Sequence, residues 1–107
     1  MAEEVLVVLT TWPDVEKAGA AARTLVEESL AACANILPGV ESIYRWEGKL
    51  ETSAEVLMIL KTTTARYAAL QMRITELHSY EVPEIVALRV EDGLPQYLKW
   101  VGDSCAP

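Results

Sequence analysis

The feature that most constrains this chain is the stretch from Cys33 to Thr63, where two apolar segments, Val40 to Trp46 and Glu55 to Thr63, flank the turn-like run Glu47-Gly48-Lys49. That arrangement predicts a long β-hairpin. Val40, Ser42, Tyr44 and Trp46 fall on one side of a period-2 pattern, and Ile43 and Arg45 fall on the other. Val56-Leu57-Met58-Ile59-Leu60 is apolar on both sides, so this strand needs cover on both faces. A two-stranded ribbon alone is marginal in water. An arm carrying Tyr44, Trp46 and Leu50 is therefore expected to meet other copies of the chain, with these three residues in the interface.

Length sets the scale of the problem. At 107 residues the chain is read as a single domain, 1–107, with one core and much of its surface exposed. Apolar residues make up 51%, which is more than such a core absorbs, and association would bury the surplus. The formal charge of −7 repels phosphate backbones and anionic membrane surfaces, so no nucleic acid is expected as a partner. No apolar run approaches the roughly 20 residues that span a bilayer, and no membrane role is expected. The opening Met1-Ala2-Glu3-Glu4 has no basic segment or cleavage site, which points to the cytoplasm. Cys33 and Cys105, in no C-x-x-C, are expected to be free thiols there.

Before the hairpin, Val5-Leu6-Val7-Val8-Leu9 reads as a central strand. Thr11 and Asp14, spaced like a capping box around Pro13, predict a helix start, and Val15, Ala18, Ala22, Leu25, Val26 and Ser29 give its apolar face. Cys33 to Leu37 starts the second strand, bent at Pro38-Gly39. Beyond the hairpin, Thr64 is the expected cap of a second helix carrying Tyr67, Leu70, Ile74 and Leu77. His78 to Pro83 breaks it, Ile85 to Val90 is a fourth strand, and Pro95 opens a short terminal helix with Leu94, Leu98 and Val101 on its apolar side. The tail Asp103 to Pro107 is expected to fray.

The order β-α-β-β-α-β plus a final helix is the split βαβ pattern, and the fold class expected is an α+β ferredoxin-like sandwich. With the strands in the order 4-1-3-2, strand three is taken as parallel to strand one. On that reading one sheet edge gathers Thr10, Thr11, Cys33, Lys61, Thr63 and the loop from His78 to Glu84.

These residues also carry a resemblance. Leu30-Ala31-Ala32-Cys33-Ala34-Asn35-Ile36-Leu37-Pro38-Gly39-Val40, then Tyr44-Arg45-Trp46-Glu47-Gly48-Lys49, Leu60-Lys61-Thr62-Thr63 and Leu77-His78-Ser79-Tyr80-Glu81-Val82-Pro83-Glu84-Ile85 resemble the CutA family of divalent-cation tolerance proteins. The likeness runs from Val7 to about Trp100. It implies a tight homotrimer built by sheet augmentation through the hairpin, an architecture similar to PII signalling proteins, an association with copper and other divalent metals, and no enzyme activity. A further, unidentified protein partner is compatible with a signalling role.

The metal association directs attention to His78, the single histidine, because imidazole is a good ligand for copper and zinc. Some relatives carry a cysteine where Thr10 stands and a second histidine where Leu77 stands. This chain retains only His78 of that set, with Cys33 as a weak second candidate and Glu81 or Glu84 as oxygen donors. Weak or shared coordination is expected, with His78 otherwise a satisfied loop histidine. The second reading is a PII-like module whose clefts between subunits hold a small anion through Lys61, His78, Tyr80 and Glu84. The enzyme reading finds no nucleophile and base that spacing can pair. Cys33, between Ala32 and Ala34, is expected to be a slow-reacting buried thiol, and Cys105 an accessible one.

Overall fold

The computed structural model describes residues 4–106. Met1 to Glu3 of the acidic opening and Pro107 of the expected frayed tail lie outside the described residues. The elements are β1 (Val5–Trp12), α1 (Val15–Glu27), β2 (Cys33–Trp46), β3 (Lys49–Thr63), α2 (Thr64–Leu77), β4 (Ile85–Arg89) and α3 (Pro95–Ser104). They form one sheet in the order β2-β3-β1-β4, which is the ferredoxin-like α+β arrangement expected.

Strand direction differs from the expectation. β3 is antiparallel to β1, with Val5 opposite Thr63 and Trp12 opposite Val56. The reason is the connections. A helical crossover lets β2 run the same way as β1, and a tight hairpin must reverse β3 against β2, so β3 also opposes β1.

The hairpin turn is tighter than the three-residue run expected. Trp46 pairs with Lys49, leaving a two-residue loop in which Glu47 has φ 49° and Gly48 has φ 79°. Two positive φ angles define a type I′ turn, whose twist matches that of the strands it joins. The bend at Pro38-Gly39 is present as a register shift between Leu37 and Val40, with Gly39 at φ 83°. The pairing continues on both sides of it, so the arm extends well beyond the helices and the molecule measures 46 × 26 × 22 Å.

Helix starts also moved. Thr11 remains in β1, and Asp14 caps α1 by accepting a hydrogen bond from the Lys17 amide at 2.8 Å. Thr63, not Thr64, is the cap position of α2, and its side chain makes no cap bond. Pro95 takes the first turn of α3 as expected.

Burial separates the two sheet faces. Val8 and Trp12 of β1 and Val56, Met58 and Leu60 of β3 lie in the core with Ala18, Ala22 and Leu25 of α1 and Leu70 and Ile74 of α2. The alternate residues Val7, Leu9, Leu57 and Ile59 are only half-buried on the opposite face. α3 covers one end of that face, where Val101 and Cys105 pack on Val5 and Ala32. The rest, continued by Leu37, Val86 and Leu88, is open.

The turn gives a stability test. Glu47 holds a left-handed conformation that asparagine adopts at lower cost, so Glu47→Asn is expected to stabilise the native protein by about 0.5–1 kcal/mol. Gly48→Ala is expected to destabilise it by about 1 kcal/mol or more. Urea unfolding at one fixed protein concentration reads both shifts.

Candidate functional site

Because β3 opposes β1, the residues expected along one edge divide between two ends of the sheet. Thr10 and Thr11 lie with Leu57, Met58 and Ile85, while Cys33 pairs with Lys61 near Val7, and Thr63 pairs with Val5. Glu55 and Lys61 sit six residues apart on one strand, about 20 Å at roughly 3.3 Å per residue. Cys33 and Lys61 therefore belong to one end, and His78, Tyr80 and Glu84 to the other. The anion cleft built from Lys61 with Tyr80 and Glu84, and any site shared by Cys33 and His78, are not assembled within the chain.

At the Cys33 end, Lys61 Nζ donates to Asn35 Oδ1 at 2.8 Å, and Cys33 Sγ lies 3.6 Å from the Tyr97 hydroxyl of α3. Its hydrogen bond with Cys33, with burial adding, pushes the Tyr97 phenol up. Cys33 is half-buried, whereas Cys105 is 1% exposed. This reverses the accessibility expected from the sequence. The tail is not frayed at this point: α3 runs to Ser104, and Cys105 packs beneath it with its Sγ 4.0 Å from Thr62 Oγ1.

At the other end, the chain leaving α2 folds over the end of β1. His78 is 9% exposed. Its ring stacks on Trp12 with centroids 4.1 Å apart and meets the Tyr80 ring at 4.6 Å. His78 Nε2 lies 2.7 Å from the Thr11 carbonyl oxygen, and the Tyr80 amide donates to Nδ1 at 3.1 Å. A carbonyl only accepts and an amide N–H only donates, so Nε2 carries the proton and Nδ1 the lone pair. Tyr80 in turn donates its hydroxyl to Glu55 Oε2 at 2.8 Å. Burial, then that hydrogen bond and the Glu55 charge, push the Tyr80 phenol up to about 12.

Beside this chain of contacts is an open cleft of about 610 Å³ between the hairpin arm and the α2–β4 loop. Tyr44, Trp46, Tyr80, Glu55, Glu81 and Glu84 line it, together with Thr11, Ser42, Ile43 and Val82. No lysine or arginine is in the lining. The cleft is electrically suited to a cation, the opposite sign from the ligand expected when Lys61 was placed here.

A closed transition-metal centre does not fit these residues. Both His78 nitrogens are engaged, Cys33 is at the far end, and Thr10 is fully buried on the helix-covered face of the sheet. Among the described residues no three His, Cys, Asp or Glu side chains are grouped to hold an ion. Trp12 and the Thr11 carbonyl complete the His78 contacts, with Glu55 joined through Tyr80, and sequence reasoning gave Trp12 no role. Its position two residues past Thr10 on an alternating strand was the available signal.

Fold and site together define a ferredoxin-like, PII-like α+β protein with a projecting hairpin. Residues 6–104 match the CutA1 divalent ion tolerance protein family model, and the chain belongs to that family, which is not a family of enzymes. The divalent-cation tolerance protein CutA of Thermus thermophilus is 49% identical over 98 residues, covering 92% of this chain and 95% of the relative. A Thermus thermophilus CutA1 structure superposes with a TM-score of 0.92 at 48% identity, covering 94% and 97% of the two chains. The periplasmic divalent cation tolerance protein CutA of Archaeoglobus fulgidus superposes equally well, with a TM-score of 0.92 at 36% identity, covering 95% and 99%.

Two measurements check this geometry. A thiol reagent is expected to label Cys33 ahead of Cys105 in the native protein, with Cys105 reacting only as the chain opens. The Tyr80 bond also carries a pH signature: a phenol whose folded pKa is raised above its unfolded value of 10.0 stabilises the fold below pH 10 and loses that contribution as pH rises toward about 12. Wild type is therefore expected to lose more stability than Tyr80→Phe over that interval in pH-dependent urea unfolding.

Proposed function

We propose that this chain serves divalent-cation tolerance as a homotrimer, in which the open sheet face and the hairpin are the surfaces that copies share. The observation that carries the reading is the two-sided apolar character of β3. One face is covered by α1 and α2, while Val7, Leu9, Leu57 and Ile59 are left half-buried, with Leu88 54% exposed beside them. The hairpin adds Tyr44, Trp46 at 53% and Leu50 at 70% exposure. Contiguous apolar surface of this kind marks an association surface. Family membership and the PII-like fold support closure as a trimer.

Within that assembly, divalent ions such as copper and zinc bind weakly and exchangeably at the cleft carboxylates of Glu81 and Glu84, which with Glu55 bonded to Tyr80 form no grouped set of three. The net charge of −7 and the absence of a basic side chain in the lining favour cations there. A PII-like anion site has no support within one chain, because Lys61 is at the other end of the sheet.

Light scattering is expected to give the mass of three chains for the wild type. Leu88→Glu and Ile59→Glu are each expected to shift it toward the monomer, since a carboxylate buried in an apolar interface is left without a partner. A monomeric wild type at micromolar concentration would contradict the assembly. For the ions, calorimetric titration with Cu(II) is expected to show weaker binding by several-fold in Glu81→Gln/Glu84→Gln, and an unchanged isotherm would remove the cleft as the site.

A further inference from the structure

We infer that His78 is not a metal ligand but the positioning residue of the cleft: it holds the Tyr80 loop against the end of β1 and thereby places the Glu55 carboxylate. Three contacts of the ring converge on this role. The ring is stacked on Trp12 at 4.1 Å, so its plane is set by a core residue of β1. Nε2–H is spent on the Thr11 carbonyl at 2.7 Å, and the Nδ1 lone pair on the Tyr80 amide at 3.1 Å. With the backbone of Tyr80 fixed in this way, its hydroxyl reaches Glu55 Oε2 at 2.8 Å, across 25 residues of sequence.

The chemistry decides between the two roles. A metal ion needs a ring lone pair, and the sole one on His78 accepts from a backbone N–H. Coordination at Nδ1 would leave that amide unpaired. Coordination at Nε2 would require the proton to move to Nδ1, setting it against the Tyr80 N–H and unpairing the Thr11 carbonyl. The first route strips one hydrogen-bonding group of its partner and the second strips two, at about 1–3 kcal/mol each where buried, for one metal–nitrogen bond unsupported by any group of three candidate ligands among the described residues. As a clamp, the same ring satisfies the Thr11 carbonyl and the Tyr80 amide and joins β1 to the α2–β4 loop, which the Tyr80 hydroxyl then ties to Glu55 of β3.

This inference does not depend on the carboxylate site proposed above, because it concerns which side chain an ion leaves alone. Three readouts test it on the full chain. In the wild type, the ring ¹⁵N shifts of His78 are expected to report the Nε2–H tautomer and to stay in place when one equivalent of Zn(II) is added. In His78→Ala, checked for native circular dichroism and unchanged mass, the Cu(II) isotherm is expected to match wild type. In the same variant the Tyr80 phenol should titrate closer to the ordinary value of 10.0, because the freed loop exposes the phenol and its bond to Glu55 is released. Tyr80→Phe identifies the Tyr80 signal by difference. A Zn(II)-dependent shift of the His78 ring nitrogens, or a Cu(II) affinity lost with His78→Ala, would overturn the inference. So would a Tyr80 titration unmoved by that substitution. If His78→Ala fails to fold, the wild-type ¹⁵N experiment still decides the metal question.

Discussion

The structure depends on a single strand that is apolar on both faces. Val56, Met58 and Leu60 of β3 meet the helices, and Leu57 and Ile59 face away from them. A strand of that pattern belongs in the middle of a layered structure, yet the chain supplies only one complete layer of helices, with α3 patching one end of the second face. The long hairpin, the open face and the exposed aromatic side chains are consequences of that shortage. Each leaves apolar surface that another copy of the chain can cover.

The direction of β3 is the second constraint, and it determines what chemistry the molecule brings together. Reversal at the Glu47-Gly48 turn sends Lys61 to the end with Cys33 and leaves Glu55 at the end with Tyr80. One end thus has a lysine bonded to Asn35 beside a half-buried thiol, and the other has carboxylates and aromatic rings without a cation. His78 sits where β1 ends and the loop before β4 begins, so one ring can satisfy backbone groups from both.

Much of the fold was legible because local signals agreed. Glu47-Gly48-Lys49 marked the turn to within one residue, Pro38-Gly39 the bend, Pro95 the start of α3, and the spacing of Leu70 and Ile74 the buried side of α2. Strand direction differs at one step: the sequence reading sets β2 against β1 and β3 along it, whereas the α1 crossover makes β2 parallel to β1 and the hairpin then turns β3 against both. That single inversion merged the two ends of the sheet into one site. Thr11 was drawn into the helix because its spacing to Asp14 imitates a cap, but pairing with Leu57 kept it in β1. Cys105 looked exposed because chain ends often fray, whereas Val101 at 0% exposure anchors the turn before it. The role of His78 was not readable from residue type, since a free imidazole and a fully engaged one are spelled the same way. Only the positions of Thr11, Trp12 and Tyr80 distinguish them.

The central claim is that the face of the sheet left open by one chain is covered in the native protein. Methyl-resolved NMR with a soluble paramagnetic probe tests it most directly, with Met72, 67% exposed, and Ile74, fully buried, as internal references. The account predicts that the methyls of Leu9, Leu57, Ile59 and Leu88 are shielded like Ile74 in the native particle. Relaxation of those methyls at the rate of Met72 would show the face open to solvent and contradict it.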